Sequence, residues 1–394
     1  MSATMDTVDA ILKEVYGPRI VDQLQHEQVA IKRLEKSSDG ITETVGGKYV
    51  NFPLKVGRNH GQGYRNENEL LPAAKRQKYA EIMTKLKYGY GRVRLTGQLM
   101  TLAEKNHQAF ASGMDREMDG IKEDLSKDTN RIAWGDSTGL LGMITDTATS
   151  ATHTVNNTAL FEVGMQVDVL TASSGATVQL DTDVVAVDED AGEVEFGDSF
   201  TGAATAGVYR QGSFEKEPNG LGSIIGTTNE IYGADPATIP IWKSIVDDNG
   251  GTPRALSESL MIETVDKVRQ NGGKTSVILT SLGVRRAYFN LLTQQRRFTD
   301  TKEFSGGFKG LPFNYGTEIP VVEDPEAPKN QMSFLEEKEI KIYQSKDWHW
   351  ADDDGDTLKW VTGYDAFEAV MRKYWEIGCS RRNTQARVED ITEG

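Results

Sequence analysis

Residues 101–134 constrain this chain more than any other stretch. Phe110, Met114, Met118, Ile121 and Leu125 fall at spacings of four, four, three and four, and Ile132 continues the row, which is the apolar stripe of a long α-helix. Thr101 and Glu104 form a capping-box pair, and Gly135 is a natural stop. At 1.5 Å per residue such a helix runs roughly 50 Å, longer than one compact domain needs. It is expected to be a spine with a single buried face. Gly113 and Gly120 interrupt it and no heptad is sustained, which argues against a coiled coil.

A spine of that length needs partners, and 394 residues are enough for two or three domains with their own cores. The 44 basic residues against 59 acidic ones leave a net charge of −15, so the surface repels phosphate and tight, direct nucleic-acid binding is excluded as a main task. The single cysteine, Cys379, has no internal disulfide partner and reads as a small apolar filler. Near the N-terminus, Ile11, Leu12, Val15, Ile20 and Leu24 recur at helical intervals among acids, a pattern of neither a signal peptide nor a membrane span.

Before the spine, Val50, Phe52, Leu54 and Val56 alternate with polar residues and Pro53, as in an edge strand. A second extended run covers residues 78–95, with Ile82, Thr84, Leu86 and Tyr88 on one face. Together they make a long hairpin whose tip, residues 57–77, is too polar for a core of its own. A free two-stranded ribbon is marginal in water, so Phe52, Leu54, Ile82 and Leu86 are expected to rest on a neighbouring copy of the chain.

After the spine, Phe161, Val163, Met165, Val167 and Val169 alternate as a strand, Val185 and Val187 begin another, and Val194 and Phe196 follow the turn Asp190-Ala191-Gly192. This reads as a small β-barrel over residues 147–212. Beyond it the pattern is mixed α/β. Thr252 and Pro253 open a helix carrying Leu256, Leu260, Met261, Thr264, Val265 and Val268, which Asn271-Gly272-Gly273 closes. A buried strand over 276–280, a helix over 284–292, a strand over 319–322, a hairpin around Asp352-Asp353-Asp354-Gly355 and a long extended stretch over 367–388 complete it.

The candidate chemistry is thin. Gly135-Asp136-Ser137-Thr138-Gly139 matches the serine-hydrolase elbow in letters, but that elbow needs a strand before the serine and a helix after it, and here the order is reversed. Gly272-Gly273-Lys274-Thr275 resembles the end of a phosphate loop, yet it closes one helix and precedes a strand. The run of acids at 352–356 lacks calcium-loop ligands, since Trp350 and Val361 occupy its first and last positions. His26, His60, His107, His153 and His349 are dispersed, with no pair at metal-ligand spacing. Catalytic, cofactor and metal residues are therefore assigned to none. Arg285-Arg286, Arg296-Arg297 and Arg381-Arg382 are expected to pair with carboxylates across subunit contacts.

An arm, a projecting hairpin, a spine helix and a mixed α/β domain closing on a long strand form a succession that resembles the major capsid protein of tailed bacteriophages, a fold shared with encapsulins and herpesvirus shells. The most specific pieces are Gly316-Thr317-Glu318-Ile319-Pro320-Val321-Val322-Glu323-Asp324-Pro325, Gly363-Tyr364-Asp365-Ala366-Phe367 and Arg381-Arg382-Asn383. The resemblance implies an α+β fold divided into an N-terminal arm (1–43), an extended hairpin loop (44–97), spine and peripheral domain (98–146), an inserted β-barrel (147–212), an axial α/β domain (213–362) and a return to the peripheral domain (363–394). It implies a non-enzymatic shell subunit of the virion, building pentamers and hexamers around double-stranded DNA, with no cofactor and no membrane. Portal and decoration proteins are the partners it allows for, and since a cleavable scaffolding region of about a hundred residues does not fit before Val45, it implies a separate scaffold or none. The competing readings are an encapsulin-like cargo shell and, in a different class, a hydrolase using Ser137.

Overall fold

The computed structural model describes residues 28–37, 49–98, 107–294, 302–303, 309–316, 318–352 and 357–394 of an α+β chain. One strand, Ala366–Cys379, is its hub. Lys87–Thr96 pairs antiparallel along one edge, from Ala366↔Thr96 to Trp375↔Lys87. Along the other edge Ile340–Gln344, His349–Trp350 and Lys359–Trp360 pair with it in succession, and Glu35–Ser37 adds in parallel beyond the first. The expected hairpin at the acidic run is therefore corrected. Among the described residues its two arms pair with the hub strand and not with each other, because the hub's long free edge takes up the backbone groups of both.

The long helix, His107–Trp134, lies across this sheet. Thr101, Glu104 and the start expected there fall outside the described residues, as do the side chains of Phe110 and Met114. Gly91 lets the helix approach: a Cβ there would stand 2.5 Å from Leu125 Cδ1 and 3.1 Å from Ile121 Cδ1. Met118, Ile121, Leu125 and Ile132 are half-buried in the single chain, where a fully buried stripe was expected. Full burial comes only at the C-terminal turns, where Ala133 and Trp134 enter a core with Leu221, Ile224, Trp242 and Trp375. Gly220 backs directly onto those turns, and a Cβ on it would lie 2.3 Å from the Ile132 carbonyl oxygen.

Tyr49–Gly57 and Lys78–Lys85 form a two-stranded ribbon with Pro53 opposite Glu81. The expected single strand over 78–95 is in fact two, broken at Leu86. Below the break the even positions Ile82, Thr84 and Leu86 are buried; above it the odd positions Gly91, Val93 and Leu95 are, and Tyr88 turns outward. The break hands the chain from the ribbon to the hub sheet, so the inward face shifts by one residue.

Six antiparallel strands form a second sheet, in the order Leu140–Met143, Ala206–Arg210, Gln166–Thr171, Thr177–Asp188, Glu193–Thr201 and Thr149–Thr154. An Ile144↔Val155 bridge joins the two ends of that path. Its core gathers Leu141, Phe161, Val167, Val169, Val184, Val194, Phe196 and Val208. The unit starts at Leu140, seven residues earlier than expected. Residues 161–165 are turns rather than strand, with the Phe161 and Met165 N–H groups donating to the Thr158 and Glu162 carbonyls. Val185 faces solvent because the register shifts between Val184 and Ala186. Residues 140–212 hold eleven acidic residues and one basic residue, Arg210, so most of the chain's net charge of −15 resides here.

A seven-stranded mixed sheet completes the chain, with Val277–Thr280, buried throughout, near its centre. Glu258–Gln270 and Leu282–Gln294 pack on it through Met261, Val265, Val268, Val284 and Tyr288. The first of these helices begins five residues later than Pro253, because Ser257 caps it by accepting from the Leu260 N–H at 3.2 Å. Gly272, at φ +77°, closes it as expected. The C-terminal stretch is interrupted: after the hub strand a turn at Arg382–Thr384 carries the chain to Ala386–Val388 in the mixed sheet. Among the described residues no helix is long and apolar enough to cross a membrane.

Candidate functional site

The ribbon is anchored at its base by its own chain. Ile82 is 1% exposed and Leu86 4%; Ile82 joins the main core, Leu86 packs with Val50 and Tyr343, and the Met83 N–H donates to the Tyr232 carbonyl at 3.2 Å. This corrects the expectation that both side chains cover a neighbouring copy, because their apolar area is already spent inside the subunit. Leu54 is half-buried against the same core, and the side chain of Phe52 lies outside the described residues.

What the ribbon offers outward is its tip. Tyr64 is 103% exposed, Leu70 90% and Leu71 79%, with Tyr79 and Met83 exposed along the outer face. Local bonds shape this tip. Arg65 Nε donates to the Leu70 carbonyl at 3.0 Å, the Asn66 N–H donates to Glu69 Oε2 at 2.8 Å, and Asn68 sits at φ +64°. Large apolar side chains are thus held in water on a segment with no core beneath it. The Leu70-Leu71-Pro72 run in an otherwise polar loop was the sequence signal for it, masked by the loop's overall polarity.

Between the ribbon base, the long helix and residues 210–218 lies a cleft of about 800 Å³, walled by Tyr49, Tyr88, Trp348 and Trp375. Three of its charged residues, Asp128, Arg210 and Glu217, are tied together through the adjacent Arg131. Arg131 Nε donates to Asp128 Oδ1 at 2.7 Å and its Nη2 to Glu217, while Arg210 pairs with Asp128 at 3.3 Å. Burial opposes charge on both Asp128 and Arg131; their mutual attraction outweighs it, lowering the Asp128 pKa and raising that of Arg131. Lys373, buried on the hub strand, lies 4.8 Å from the Trp375 ring centroid and 3.2 Å from Asp347. Burial works against ionisation of Asp347, yet Lys36 and Lys373 hold its pKa down at about 2.

The arginine pairs divide. Arg285 pairs with Glu323 of its own chain at 2.6 Å, Arg286 is exposed, and Arg296 and Arg297 lie outside the described residues. Arg381 and Arg382 depart from expectation by binding carbonyls in place of carboxylates. Arg381 reaches those of Asn271 and Gly272, and buried Arg382 those of Ser223, Ile224 and Asn229, because chain crossings leave those oxygens without ladder partners.

Ser137 follows a helix and precedes a strand, at φ +74°. Both ring nitrogens of His153 are engaged, Nδ1 with Asp146 at 2.9 Å and Nε2 with the Ser150 carbonyl at 3.0 Å, so that ring serves its own sheet and not the serine. Burial pushes the Cys379 thiol up to about 12, which leaves it inert.

The fold has solved counterparts. A capsid asymmetric-unit chain of cyanophage A-1(L) is similar over 99% of this chain and 100% of its own, at 15% identity and a TM-score of 0.59. A chain of Mycobacterium phage Bobi covers 99% of each at 8% identity and a TM-score of 0.48, and an encapsulin of Synechococcus elongatus covers 100% of this chain and 97% of its own at 6% and 0.49. No curated protein matches the sequence. The family model described as SU10 major capsid protein matches residues 105–388, from the long helix through the last strand of the mixed sheet. The chain therefore belongs to the SU10 major capsid protein family and is a structural shell protein of a phage capsid.

Proposed function

We propose that the subunit builds pentamers and hexamers of an icosahedral shell around the double-stranded DNA of a tailed phage, assembling in the host cytoplasm with separate scaffolding, portal and decoration proteins. The observation that carries this reading is the ribbon: anchored at Ile82 and Leu86 and apolar at an exposed tip, it is shaped to reach across to a neighbouring copy. In this reading His107–Trp134 is the spine, the hub sheet the peripheral domain, the mixed sheet the axial domain, and residues 140–210 an inserted module. So acid-rich a module repels packaged DNA and belongs on the outer side of the shell.

Changing Tyr64, Leu70 and Leu71 together to serine tests the reading. Losing these contacts removes roughly 2–5 kcal/mol per interface at about 25 cal/mol per Å², repeated around every ring. Circular dichroism is expected to stay native while sedimentation and negative-stain microscopy show only small species. Particles at wild-type yield would show that the tip carries no assembly contact. Nuclease-protected DNA in particles purified from infected cells distinguishes a genome shell from a protein-cargo shell.

A further inference from the structure

Behind the long helix, three distant parts of the chain meet at one amide. Asn130 Nδ2 donates toward Asp324 Oδ1 and Oδ2, each at 3.2 Å, and toward Glu326 Oε2 at 2.6 Å. Its Oδ1 accepts from the Ile31 N–H at 3.1 Å, and Asp324 Oδ2 accepts from the Ala30 N–H at 2.9 Å. Asn130 and Asp324 are buried, and the Glu326 N–H closes onto Asp324 Oδ1 at 3.0 Å. The helix Val29–Arg33 has no side-chain cap bond from its own Gln28, so these two side chains hold its first turn. Two amide hydrogens converge on two carboxyl groups, an arrangement that two full negative charges at such range make unfavourable.

We infer that this cluster is a proton-operated latch: with Glu326 protonated it holds residues 29–33 against the long helix, and with Glu326 ionised it loosens. The charged groups acting on Glu326 are Asp324 on its own turn and Asp128 and Arg131 on the long helix; on the held helix, Arg33 is paired with Glu337 at 2.7 Å. Burial, then the Asp324 charge, outweigh the Asn130 bond and the Arg131 charge and raise the Glu326 carboxyl to about 7. Once the latch opens into water Glu326 returns to an ordinary carboxylate range, so the closed form holds one proton more across the interval between the two values.

Hydrogen exchange at the Ala30 and Ile31 amides of the full chain, corrected for intrinsic rates, reads this directly. Protection is expected to fall with rising pH, by at most about tenfold per unit between pH ~5 and ~7, and to level off above that. Glu326→Gln, isosteric and uncharged, is expected to keep both amides protected throughout. Wild-type protection independent of pH, or a pH step that survives in Glu326→Gln, overturns the latch.

Discussion

Asn130, on the long helix, and Asp324, at the end of a strand of the mixed sheet, are joined by two 3.2 Å approaches of one amide nitrogen to both carboxylate oxygens. Both residues are buried, so this polar contact joins the apolar ones of Ala133 and Trp134 in fixing the helix to the second half of the chain. Removing either partner strands a buried polar group. Asn130→Leu is expected to cost about 2–4 kcal/mol, read as a lower urea midpoint at an unchanged m-value. A midpoint equal to wild type would show that the helix is held by its apolar contacts alone.

Gly220 faces the carbonyl oxygens of Ile132, Ala133 and Gly135 at 2.3–2.8 Å from an added Cβ. Backbone cannot swing aside as a side chain can, so Gly220→Ala is expected to destabilise by about 1–3 kcal/mol and to lower the melting temperature by several degrees, on the order of 2–4 °C per kcal/mol. Gly91→Ala, which meets only the flexible tips of Leu125 and Ile121, is expected to cost less; the reverse order would mean that the helix and not the Gly220 segment gives way.

Glu376 lies wholly inside the hub sheet, accepting from the Asn219 N–H at 2.6 Å and the Ile377 N–H at 3.1 Å, with Oε2 unpartnered. Burial outweighs those bonds and lifts its carboxyl to about 8. A folded value above the unfolded one means that the native state binds the extra proton, so this group's contribution is full below the ordinary carboxylate range and is lost as pH rises toward 8. Unfolding free energy is expected to fall by roughly 2–4 kcal/mol between pH 5 and 8, and Glu376→Gln to flatten that slope. An unchanged slope in the variant would place the titration elsewhere.

The acid-rich sheet enters and leaves the chain at one place, since Leu140 pairs with Tyr209 and the Glu215 N–H donates to the Thr138 carbonyl at 2.9 Å. Replacing residues 140–210 with a short Gly/Ser linker is therefore expected to leave a soluble, cooperatively folding subunit. Cutting only 156–209 removes the partners of Leu140–Met143 and Thr149–Thr154, leaves two bare edges, and is expected to aggregate. Equal solubility of the two deletions, measured by sedimentation, would show that the sheet is not a self-contained unit.

Local pattern alone determined a good deal of this protein. The helix ending at Trp134, the edge strand carrying Pro53, the buried Val277–Thr280 and the glycine stop at Gly272 each follow from a period or a turn residue acting within a few positions, where the physics is local. The succession of these elements was enough to point to a capsid subunit. Only the tertiary structure decided which faces are spent. Ile82 and Leu86 look like a neighbour's contact in a ribbon read alone, but Tyr232 and Tyr343, brought from far along the chain, cover that face and leave Tyr64, Leu70 and Leu71 as the exposed apolar groups of the ribbon tip. The phase slip at Leu86, the carbonyls gathered around Arg382 and the meeting of Asn130, Asp324 and Ala30 likewise depend on segments up to 294 residues apart. Periodicity reports which side of an element is apolar; what covers it is set by long-range packing, which no local window contains.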